Sequence, residues 1–88
     1  MLTYEQASSK VLEGRKSMLI MDAYEAPQRF IFTLQPMKGE PLMDSIFEVN
    51  KSTGKVSEYA IFNHIDEWKK VSKNPIYQRK SSISDSRR

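Results

Sequence analysis

The chain is 88 residues long, contains no cysteine and carries a formal net charge of +3 with pI ≈ 9.3. That length makes one domain, which buries about 60–65% of its unfolded surface and has no disulfide to support it. The longest apolar run, Met18–Met21, is far short of the roughly 20 residues that span a bilayer, which excludes a membrane-crossing helix. The opening residues Met1 to Gln6 turn polar at once and offer no apolar signal core. Without cysteines or such a core, the chain is expected in a reducing cytoplasm and not at a membrane.

The charge excess is local. Residues 1–75 hold ten basic and ten acidic groups, whereas residues 76–88 hold Arg79, Lys80, Arg87 and Arg88 against Asp85 alone. A neutral body does not form the basic stripe needed to track phosphates, so a nucleic-acid partner is not the reading the charges favour. The alternative that keeps one is an accessory protein using the basic tail.

Thr3 followed by Gln6 is a capping-box pattern, and Tyr4, Ala7, Val11 and Leu12 fall on one stripe at helical spacing. The spacing predicts a helix over about 4–13, stopped by Gly14 in the left-handed position past its end. Met18–Tyr24 is a short apolar segment that reads as a strand. Arg29–Gln35 follows as a second, with Phe30, Phe32 and Leu34 on one face and Arg29, Thr33 and Gln35 on the other. Pro36 ends it, because proline cannot donate to a ladder. Met37–Pro41 reads as a loop, and Met18, Met21, Met37 and Met43 cluster around these elements as core and loop anchors.

Ser45–Asn50 and Lys55–Phe62 are read as a hairpin across Lys51-Ser52-Thr53-Gly54, where Gly54 supplies the positive φ of a turn with a bulge. Pairing Asn50 with Lys55 sets Val49 opposite Val56 and Phe47 opposite Glu58. Asn63 is then expected to cap a second helix, with Asp66 and Glu67 at its start and Ile65, Trp68 and Val71 or Ser72 facing inward. Asn74-Pro75 stops it.

The fold class expected is α+β: a four-stranded antiparallel meander with an N-terminal and a C-terminal helix, α-β-β-β-β-α, both helices on one side. A single domain over 1–75 is followed by a basic tail, 76–88, too polar to offset its ordering entropy, with disorder expected from about Gln78.

Chemistry is sparse. His64 is the one histidine, the carboxylate pairs lack calcium-loop spacing, and the three glycines are isolated. The reading therefore assigns no catalytic residue, no metal ligand and no cofactor. Trp68 is assigned to the core. The register leaves Ile31, Ile46, Tyr59 and Ile61 on the outer sheet face, and with both helices on the opposite side these four are the candidate partner-binding residues. Ile76 and Tyr77 folding back, a second copy of the chain or a partner protein could cover them. A partner or self-association is the expectation, because little chain remains after Pro75.

The start Met1-Leu2-Thr3-Tyr4-Glu5-Gln6-Ala7, the strand Gln28-Arg29-Phe30-Ile31-Phe32, the hairpin from Asp44 to Val56 through Asn50-Lys51-Ser52-Thr53-Gly54-Lys55, and the helix carrying Trp68 together resemble the YrhB-like domains of the immunity proteins of bacterial polymorphic toxin systems. The resemblance covers about residues 1–72. It implies a cytoplasmic protein that neutralises a toxin by occluding it, without catalysis.

Overall fold

A computed structural model describes residues 1–15, 17–37 and 45–79. Its elements are α1 (Tyr4–Leu12), β1 (Met18–Glu25), β2 (Arg29–Pro36), β3 (Ser45–Asn50), β4 (Val56–Glu58), a 3-10 turn at Ile61–His64, α2 (Ile65–Val71) and β5 (Tyr77–Gln78). The five strands form one sheet in the order β4-β3-β2-β1-β5, and every neighbouring pair is antiparallel.

α1 begins as its sequence dictates. The Thr3 hydroxyl accepts from the Gln6 N–H at 3.2 Å, and Gln6 Oε1 accepts from the Thr3 N–H at 2.9 Å. Gly14 follows the helix with φ +73°, the left-handed conformation that glycine adopts at least cost. The helix lays Ala7 and Val11, both fully buried, against Ile20, Ala23, Phe30, Phe32, Leu34 and Val49 of the sheet. Tyr4 sets its ring 6.2 Å from Phe30 and 5.9 Å from Phe32.

β1 reaches this core through a bulge. Ile20 pairs with Leu34 and Asp22 with Thr33, so Met21 is the extra residue. The bulge lets both Ile20 and Ala23 face α1, which strict alternation would forbid. The hairpin register is the expected one: Val49 opposes Val56, Phe47 opposes Glu58, and the Asn50 N–H donates to the Lys55 carbonyl. Asn50 Oδ1 accepts from the Ser52 and Thr53 amides, and Gly54 has φ +76°. A Cβ at Gly54 would stand 2.9 Å from Lys10 Cε and 3.3 Å from Leu2 Cδ1. The end of the Lys10 side chain can move aside, so Gly54→Ala costs chiefly the αL penalty, about 1–2 kcal/mol in urea denaturation; an unchanged midpoint would contradict the left-handed conformation at this turn.

Four expectations are corrected. The sheet has a fifth strand: Tyr77–Gln78, assigned from sequence to the tail, pairs with Asp22 and Ala23, and the Arg79 amide donates to the Met21 carbonyl. Only after Arg79 does the tail lie outside the described residues, as do 38–44 with Gly39, Pro41 and Met43. The last strand of the hairpin is Val56–Glu58 and not Lys55–Phe62; the chain then turns into the 3-10 segment. Asn63 makes no helix cap, because it sits inside that turn and neither the turn nor α2 has a side-chain cap.

The helices lie on opposite faces. α1 covers the face of Phe30 and Phe32, whereas Trp68 and Val71 pack with Tyr24, Ala26, Ile31 and Tyr59 on the other. Topology gives the reason. β4 and β5 are the two edges of the sheet, so the connection between them must cross all the other strands, and α1 already occupies one side. β2 is buried on both faces, from Phe30 through Leu34 without interruption, the signature of a strand covered from two sides.

Candidate functional site

The second face of the sheet is where the polar and aromatic side chains converge. The four residues singled out from sequence are brought together there: Ile31 and Tyr59 are buried, with Ile46 and Ile61 half-buried in the same cluster. They do not form an open surface, because the 3-10 turn and α2 are their cover. Inward spacing starts at Ile61 and runs through His64, Trp68 and Val71. Trp68 is half-buried, its ring 4.9 Å edge-on from Tyr24 and 6.0 Å from Tyr59.

Around this apolar patch runs a polar cluster that sequence reading missed. Arg29 Nη1 lies 3.2 Å from Glu48 Oε1 and 3.7 Å from Glu67 Oε1, joining β2 to β3 and to α2. The Tyr59 hydroxyl donates to Glu67 Oε1 at 2.9 Å, and the Ser57 hydroxyl donates to Glu48 Oε2 at 3.3 Å. His64 stacks on Tyr59 with centroids 5.1 Å apart, and its Nε2 lies 3.3 Å from Arg29 Nη1. A guanidinium only donates, so Nε2 is the acceptor in that bond. The ion-pair side chains are 19–25% exposed, so each charge keeps part of its hydration while bridging elements.

This arrangement holds the crossover segment down. Ser57 gives its proton to Glu48 rather than to His64, and Arg29 is engaged by two carboxylates. Burial pushes the Tyr59 hydroxyl well above its ordinary value of 10.0, helped by the hydrogen bond to Glu67 and that carboxylate's charge, while Arg29 pulls it down. Burial likewise raises Tyr24, with a smaller contribution from Asp22. No group of three or more His, Cys, Asp or Glu able to hold a metal occurs among the described residues, and no helix among them is long and apolar enough to cross a membrane.

A raised tyrosine value has a consequence at alkaline pH. The folded chain retains the phenol proton to higher pH than the unfolded chain, so the stabilisation is complete below pH 10 and declines as pH rises above it. Tyr59→Phe should flatten that decline by up to about 1.4 kcal/mol per pH unit while costing about 1 kcal/mol at neutral pH. Urea midpoints between pH 9 and 11 check this; parallel slopes for the two proteins would contradict it.

The outer side of the same segment is different in kind. Phe62 is 89% exposed and Ile65 46% exposed. Ile65 was expected inside, but the 3-10 turn rotates the helix so that His64 takes the inward place. Lys69, Lys70 and Lys73 are exposed farther along, with Asp66 the exposed acid among them. The sequence held a signal for this: with Ile61, His64, Trp68 and Val71 facing in, a continuous helical reading from 61 leaves Phe62 and Ile65 out. No family model, curated protein or solved structure matches the chain.

Proposed function

We propose that this is a protein-binding domain that works by occlusion, and that its contact surface is the outer side of the 3-10 turn and α2. The observation that carries the proposal is Phe62, an aromatic ring left 89% exposed beside Ile65 on a segment that the Arg29–Glu48–Glu67–Tyr59 cluster fixes to the sheet. Large aromatics on a pre-ordered support are the residues that dominate protein interfaces, since little ordering entropy opposes docking. The resemblance of residues 1–72 to YrhB-like immunity domains supports a toxin as the partner, blocked without chemistry.

The test is binding to the product of the adjacent open reading frame. Wild type should form a complex, and Phe62→Asp with Ile65→Asp should weaken it by on the order of 100-fold, with an unchanged circular dichroism spectrum. Equal affinity of the double variant would move the contact elsewhere. A protein that instead binds RNA or DNA with steep salt dependence, lost on truncation after Arg79, would belong to the nucleic-acid class.

A further inference from the structure

The opposite face of the sheet carries a separate feature. α1 covers β2 and β3, and beyond it the β1–β5 side is left as a groove of about 350 Å³, within the range of small-ligand sites. Its walls are mainly apolar, with Tyr4 and Leu12 from α1, Met18 and Ile20 from β1, and Tyr77 from β5, while Ser8 and Ser9 of α1 add hydroxyls. Burial raises the Tyr4 hydroxyl, with the neighbouring Tyr77 phenol and then Glu5 adding to it, so Tyr4 keeps its proton and can donate at the groove.

One charge lines it. Arg79 is the only ionic side chain among the described residues of the groove. Its Nε donates to the Ile20 carbonyl at 3.2 Å, which holds the guanidinium at the mouth, and no carboxylate among the described residues pairs with it. A guanidinium tethered by one nitrogen presents its other donors in the planar fork that fits a carboxylate. The geometry points to a binding site for a small monocarboxylate with an apolar body, its carboxylate on Arg79 and its chain between Leu12, Met18 and Ile20. The charge count fits one anionic group, and the mainly apolar walls disfavour a multiply charged ligand.

Octanoate and its neutral analogue octanamide separate the charge from the apolar contribution. Titrated into the 88-residue chain and followed by methyl NMR, octanoate should shift Leu12, Met18 and Ile20 saturably with a dissociation constant on the order of 1 mM. Octanamide should bind about fivefold more weakly, and Arg79→Gln should bring octanoate to the octanamide level. Trp68, on the other face, should not respond. The octanamide comparison needs no variant, so it stands even if Arg79→Gln disturbs β5. Absent shifts, equal binding of the two compounds, or concentration-dependent self-association that octanoate fails to disrupt would each overturn the assignment. So would an increase in octanoate affinity on removing residues 80–88, which would make the groove the seat of the chain's own end.

Discussion

Phe32→Ala should unfold the domain or leave it barely stable at room temperature. Phe32 is fully buried at the middle of β2, the central strand, opposite Ala23 on one side and Phe47 on the other, with the Tyr4 ring above it. Truncating a buried phenylalanine costs about 3–5 kcal/mol, in lost transfer energy and the cavity left behind. A domain of this size holds about 5–10 kcal/mol in total. α1 and the sheet cannot close the gap without moving the Ala7–Val11 stripe off its other contacts. Urea denaturation followed by circular dichroism gives the answer, and a loss under about 1.5 kcal/mol would show that this face is not the main core.

Trp68→Ala should have the second largest effect, and a different one. α2 has no fully buried residue, so its attachment rests on Trp68 and Val71 against Tyr24 and Tyr59, and on the ties from Glu67 to Arg29 and Tyr59. Because Trp68 is only half-buried, its loss should cost about 2–4 kcal/mol, at the lower end for an aromatic truncation. The loss should be local. Amides of α2 should lose hydrogen-exchange protection while those of α1 and β2 keep theirs, since β2 is also held by the opposite core. Equal loss across both faces would mean that the two cores unfold as one unit.

What could be read from sequence followed from local rules. Thr3 with Gln6, Gly14 and the Asn50–Gly54 turn each determine their own geometry within a few residues, and all three appear as expected. The hairpin register followed from the turn. What failed depended on contacts distant in sequence. Nothing near Tyr77 announces a strand, because two residues gain sheet character only from the edge of β1 beside them. The side on which α2 packs was set by the edge-to-edge crossing from β4 to β5 together with α1's occupation of the other face. Ile31, which breaks the polar side of its strand between Arg29 and Thr33, was the residue that signalled a second covered face. Arg29, Glu48 and Glu67 lie far apart in the chain, and only folding brings their charges into one cluster.

The covered face changes where a partner can dock. Ile31 has no exposed surface and Tyr59 only 5%, so either could be reached only if α2 lifted away. Phe62 and Ile65 need no such opening. The direct measurement is amide hydrogen exchange on the complex with the adjacent gene's product, compared with the free chain. Docking on the outer side should protect the amides of Phe62, Ile65 and Lys69 and leave those of Ile31 and Ile46 unchanged. Faster exchange throughout α2, with new protection at Ile31, Ile46 and Tyr59, would instead mean that the partner displaces the helix and binds the sheet face.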